Sequence, residues 1–113
     1  MKFRKINNVF FVGIGGIGMS GLSLIMKGKG FKVQGSDIAS NKNIERLKKE
    51  KIKIFLGQSK KNLKYATIVV ISSAIKNNNK ELRAAKKKNL PIFKRGEMHA
   101  NIVSLKNVLD TYG

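Results

Sequence analysis

Gly13-Ile14-Gly15-Gly16-Ile17-Gly18 is the first stretch of this chain whose residue types and spacing can do chemistry. Glycines in this pattern, between a strand and a helix, serve a tight turn, a close backbone approach to a phosphate and close packing of helix on sheet. In that scheme Gly13 allows the turn, Gly15 the approach and Gly18 the packing. Backbone N–H groups at the helix start then point at the anion, and the helix dipole adds about 0.3–1 kcal/mol. Gly16 and Gly21 smooth the turn, and Ser20 offers a hydroxyl. The chemistry is anion binding. The motif leaves open a dinucleotide cofactor, a nucleotide sugar, or glycines that serve packing alone.

Other polar residues fall where such a site would need them. Asp37, in "VQGSDI", stands at the tip of the second apolar run, where a carboxylate accepts from ribose hydroxyls or caps a turn. Ser72 and Ser73 end the most β-branched run, with base or ribose contacts and turn capping as their two readings. Lys76 reads as solvated. Arg95 and Glu97 are placed to grip a ligand or one another. His99 is the single histidine and reads as a surface residue. There is no GxxxxGK[ST], no HExxH, no Cys/His cluster and no carboxylate pair arranged for acid–base work. The residues describe a binding site without catalytic machinery: no catalytic residue and no metal ligand is assigned.

Along the chain, apolar runs and helical stripes alternate. Val9–Val12 predicts a buried parallel strand. Ile17, Leu22, Ile25 and Met26 make a helical stripe from Gly16 to Lys29, with Gly28 and Gly30 as stop signals. Phe31–Gly35 predicts a second strand, and Ser40 caps a helix through Lys49 that turns Ile44 and Leu47 inward. Ile52–Phe55 is a third strand, Gly57–Lys64 a loop or single turn, and Ala66–Ile71 a fourth strand. A lysine-rich helix follows over Asn77–Lys88. Leu90–Phe93 is a fifth strand, at an edge because of Pro91, and Arg95–Leu105 is helical. This alternation predicts an α/β fold: a doubly wound five-stranded parallel sheet, order 3-2-1-4-5, with helices on both faces. The loops after strands one and four then flank one crevice.

Composition narrows the partners. At 113 residues the chain is one domain. Its net charge of +18 comes from lysines spread from Lys2 to Lys106, with arginine only at Arg4, Arg46, Arg83 and Arg95. Such a spread reads as composition, and nucleic acid is not the expected partner, since base readout leans on arginine. The charge still steers anions toward the domain. With no cysteine there is no disulfide framework. No apolar run has the length of a membrane span, and glycines interrupt the only stretch where an export signal would lie. A cytoplasmic chain, away from the membrane, is expected.

"FVGIGGIGMSGLSLIM", "VQGSDI", "VVISSAI" and "PIFKRGEM" occur in this order over residues 6–105. Together they resemble the N-terminal, Rossmann-like domain of the Mur ligases, specifically the UDP-N-acetylmuramate–L-alanine ligase family of peptidoglycan synthesis. By this resemblance Gly13, Gly15, Gly16, Ile17, Gly18, Met19 and Ser20 receive the diphosphate of UDP-N-acetylmuramate. Asp37, Ser73, Ala74 and Ile75 meet the uridine, and Arg95 and Glu97 contact substrate near the domain boundary. The family also implies ATP and Mg²⁺ for the full-length enzyme, bound by an ATP-binding domain and a C-terminal domain that these residues do not include. In the family's reaction the muramoyl carboxylate becomes an acyl phosphate, which the amine of L-alanine attacks.

The resemblance assigns residues 1–105 to the UDP-sugar-binding domain. Where the family's glycine-rich ATP loop is expected, the chain reads "VSLKNVLDTYG", so residues 106–113 form a tail. The 113 residues alone are not expected to catalyse ligation, and no cofactor is expected within them. The competing reading is a free-standing NAD-binding regulatory or oxidoreductase domain, which the glycines and Asp37 also permit.

Overall fold

The apolar run that ends at Val12 becomes the central strand of the sheet. In a computed structural model that describes residues 7–102, β1 (Asn8–Val12) carries four fully buried residues. Val9 and Phe11 face one side and Phe10 and Val12 the other, as the two-residue period of a strand requires. Burial of each such side chain contributes about 1.5–3 kcal/mol.

Six further elements follow β1 as far as β4: α1 (Ile17–Gly28), β2 (Lys32–Asp37), α2 (Lys42–Lys49), β3 (Lys53–Leu56), a 3₁₀ turn (Lys60–Leu63) and β4 (Ile68–Ile71). Then come α3 (Lys80–Lys87), β5 (Ile92–Lys94) and a helix, α4, over residues 95–102. All strand pairs are parallel and their order is β3-β2-β1-β4-β5, the order expected from the sequence. Val12 sits opposite Ser36, and Phe11 opposite Val70. The proline before β5 lies on an edge strand; its carbonyl accepts from Val69 N at 2.9 Å, and no ladder needs the N–H it lacks.

The two faces are covered unequally. Met19, Leu22 and Met26 of α1, Ile44 and Leu47 of α2, and Met98 and Ile102 of α4 pack on the face of Val9 and Phe11. The opposite face is covered by Leu63 of the 3₁₀ turn and by Leu82 and Ala85 of α3.

Several boundaries move for local reasons. Asn41, not Ser40, caps α2: its Oδ1 accepts from Ile44 N at 2.9 Å, while Ser40 donates to Glu45. The lysine-rich helix starts at Lys80, because Asn79 Oδ1 accepts from both Glu81 N and Leu82 N and ends the loop there. The fourth strand starts at Ile68, and β2 runs on to Asp37, further than Gly35. The Gly57–Lys64 segment holds one 3₁₀ turn capped by Ser59. The expected continuation of the last helix to Leu105 lies outside the described residues.

Candidate functional site

The chain leaves β1 through Gly13, whose φ of +76° is open to glycine and strained for other residues. The amides of Gly13 and Ile14 both donate to one acceptor, the Ser36 carbonyl at the end of β2, at 2.9 and 2.8 Å. The Gly15 amide donates to Asp37 Oδ2 at 2.8 Å. Three consecutive loop amides are therefore held by two consecutive residues of β2. The Gly15 carbonyl is held as well, by Asn43 Nδ2 at 2.9 Å and Asn41 Nδ2 at 3.3 Å.

This anchoring leaves the start of α1 open. Gly16 is its N-cap and supplies no side-chain acceptor. The first intrahelical bond runs from Ser20 N to the Gly16 carbonyl, so the amides of Ile17, Gly18 and Met19 have no helical partner. Gly16, Ile17 and Gly18 are exposed, whereas the Met19 and Ser20 side chains are buried. The Ser20 hydroxyl turns back and donates to the Ile17 carbonyl at 3.1 Å. What residues 17–19 present to an anion is thus their backbone.

Arg95 lies across this helix start. A Cβ at Gly18 would come within 2.7 Å of Arg95 Cδ and 2.8 Å of Nε. Glycine at 18 therefore makes room for an arginine side chain, where close packing of helix on sheet was expected. Arg95 and Glu97 do not pair: Glu97 Oε1 accepts from Lys94 N at 2.8 Å and caps α4. A guanidinium beside a helix N-terminus gives the spot a positive potential of two origins.

Gly15 serves a close approach too, and the approaching group belongs to the protein. A Cβ there would meet Asp37 Oδ2 at 2.6 Å, Ile44 Cδ1 at 3.0 Å and Asn41 Nδ2 at 3.1 Å. Both Asp37 oxygens are engaged, the second by Ile38 N at 2.8 Å. Ile38 itself is 77% exposed and Ile17 is 88% exposed, two bare isoleucines beside one loop.

The loop after β4 joins the same crevice. Ile75 Cδ1 is 3.5 Å from the Cβ position of Gly13. Ser72 Oγ accepts from Ala74 N at 3.3 Å and its carbonyl from Ile75 N at 3.2 Å, leaving Ser73 and Ala74 exposed at the tip. A concavity of about 340 Å³ opens beside it, lined by Ala74, Ile75, Lys76, Asn79 and Gln58 among others. A larger one, about 560 Å³, lies between α3 and the 3₁₀ turn among solvated lysines, away from the glycine loop. It holds no candidate residue. Geometry and not size locates the site.

Asn41 and Asn43 had no distinguishing signal in the sequence beyond their place at a helix start. Glu81 had none: it is fully buried, and Ser36 Oγ and Asn62 Nδ2 donate to its carboxylate. Burial raises its pKa above the ordinary carboxyl value, against the opposing hydrogen bonds from Ser36, Asn62 and Ser59 N. Among the described residues no group of three or more His, Cys, Asp or Glu side chains is placed to hold a metal.

The pattern of the Mur ligase family, catalytic domain, matches residues 8–107. The chain is 68% identical over 112 residues to UDP-N-acetylmuramate–L-alanine ligase of Pelagibacter ubique, covering 98% of this chain and 24% of that protein. It is 50% identical over 103 residues to the ligase of the same name from Rickettsia prowazekii, covering 91% and 21%. The crystal structure of UDP-N-acetylmuramate–alanine ligase from Thermotoga maritima superposes with a TM-score of 0.78 at 33% identity, over 88% of this chain and 23% of that one. The chain spans about a quarter of the length of the relatives it matches.

Proposed function

This chain belongs to the Mur ligase family, and we propose that it acts there as the domain that binds the UDP moiety of UDP-N-acetylmuramate. The observation that carries the reading is the start of α1: three unpartnered amides at Ile17, Gly18 and Met19, on a loop pinned from behind, with Arg95 alongside. A diphosphate matches that arrangement in charge and in its need for several N–H donors. Because the loop is already anchored, ligand binding orders little backbone and more of the interaction energy appears as affinity.

The uridine belongs on the β4 side of the crevice. Ala74 and Ile75 border the concavity there, Ser73 precedes them at the exposed loop tip, and Asp37 holds the glycine loop from β2. The sugar and its carboxylate extend outward from the sheet, toward parts of the ligase beyond these residues. There, ATP and Mg²⁺ supply the activation of the carboxylate that precedes attack by the amine of L-alanine. This domain's share is to hold and orient the nucleotide end. The relatives' names support the substrate. No helix among the described residues is long and apolar enough to cross a membrane.

The test is an NMR titration of the ¹⁵N-labelled chain with UDP-N-acetylmuramate, and with NADH in parallel. Shifts at residues 15–20, 37 and 73–75 with the UDP sugar alone are expected. Shifts at the same amides with NADH alone would replace the reading with a dinucleotide-binding one.

A further inference from the structure

Glu81 is the one charged side chain that is fully buried among the described residues. Ser36 Oγ donates to its Oε1, and Asn62 Nδ2, at 2.7 Å, and Ser59 N, at 3.5 Å, to Oε2. An apolar side chain of similar volume would fill this place without the cost of desolvating a carboxyl group. The fold's core does not call for an acid here. What sets the position apart is its partner. Ser36 is the residue whose carbonyl accepts from both Gly13 N and Ile14 N, and its neighbour Asp37 holds Gly15 N.

We propose that Glu81 is a positioning residue for the glycine-rich loop: through the Ser36 hydroxyl it fixes the strand-end carbonyl from which the first loop amides hang. The side chain and carbonyl of Ser36 share one Cα. A bond that locks the hydroxyl therefore restricts the carbonyl's direction, and with it the loop that leads into α1. Glu81 thus reaches the anion site from the opposite face of the sheet, from α3, without touching a ligand. The consequence for affinity rests on the UDP-binding reading; the anchoring of the loop does not.

The experiment compares Ser36→Ala, which cuts the arm to the loop, with Asn62→Ala, which cuts the arm to the 3₁₀ turn. Amide hydrogen exchange is read by NMR on the full chain without ligand, and UDP affinity is then titrated. Ser36→Ala is expected to speed exchange at Gly13, Ile14 and Gly15 by roughly three- to tenfold relative to core amides such as Val70, the range one hydrogen bond sets. UDP affinity should fall by a similar factor. Asn62→Ala is expected to leave the loop amides and UDP affinity unchanged relative to the core. This split is one that general loss of stability would not produce. Equal loop exchange in the two variants overturns the proposal, as does faster exchange with UDP affinity intact. Failure of the unaltered chain to bind UDP overturns the assigned ligand instead, and the exchange rates still decide the anchoring.

Discussion

The Gly15 amide donates to Asp37 Oδ2 over 2.8 Å, and the same oxygen stands 2.6 Å from where a Cβ of residue 15 would be. The glycine and the aspartate are fitted to one another before any ligand arrives. A residue expected to serve the uridine and a residue expected to serve the phosphate form a single structural unit.

Gly15→Val is therefore expected to disturb the fold as well as the site. The sequence alone suggests a substitution that blocks the ligand and spares the structure. The contacts with Asp37, Ile44 and Asn41 argue for a loss of about 1–3 kcal/mol, the range for overpacking. Urea denaturation measures it. Adding Asp37→Ala to Gly15→Val should recover part of the loss, since the clashing oxygen is gone, and a strictly additive double variant would refute the coupling.

Asp37→Ala alone should weaken pyrophosphate as well as UDP. Freeing the Gly15 amide loosens the loop that orients the helix start, a loss of about tenfold for either ligand. Under the proposed uridine contact UDP loses more than pyrophosphate. Isothermal titration with both ligands checks the ratio; equal losses would confine Asp37 to anchoring.

Arg95→Ala should cost little stability, within about 0.5 kcal/mol, because the side chain lies on the surface. Its effect belongs to the ligand: affinity for UDP should fall about tenfold, as for a lost charge-assisted hydrogen bond. The dependence of affinity on salt should flatten with it. An unchanged Kd in low salt would remove Arg95 from the site.

Glu81 makes stability depend on pH in a defined direction. Burial raises its pKa in the folded chain. Above the ordinary carboxyl value the unfolded chain has released this proton while the folded chain still holds it. The stability from this group is full below the ordinary value and is lost as pH rises through the raised one. The difference in melting temperature between the unaltered chain and Glu81→Gln should therefore shrink or reverse as pH rises from acid toward neutral. A difference that stays flat would contradict the raised value.

The sheet was legible because its signals are periodic. Val9–Val12 and Ile68–Ile71 are continuous β-branched and aromatic runs, and the stripes of α2 and α3 recur at helical spacing; in α1 only Leu22 and Met26 of the stripe read from the sequence are buried, while Ile17 and Ile25 are exposed. Helix ends were harder. Lys51 and Asn89, with φ of 64° and 56°, close α2 and α3 in the left-handed region without the glycine that marks such a turn. Within the site, Gly13 was readable from its place after a strand. The role of Gly18 was not, because its neighbour Arg95 arrives from the far end of the chain. Asn43 and Glu81 were invisible for the same reason: their partners are Gly15 and Ser36, remote in sequence and brought close only by the sheet.

The meeting of Gly18 with Arg95 also bears on the order in which the domain is completed. The loop belongs to the first strand–helix unit, and the arginine to the last helix described, beyond the short edge strand β5. During synthesis from the amino end, the proposed anion site remains half-built until that final unit docks. Under the proposed reading, a diphosphate bridging the two would act as a fastener between early and late segments. A ligand that binds only the finished domain stabilises it by RT ln(1 + [L]/Kd), about 2.7 kcal/mol when the ligand is at a hundred times its Kd. Rising melting temperature with UDP would report the closing of the last helix as much as the filling of the first loop.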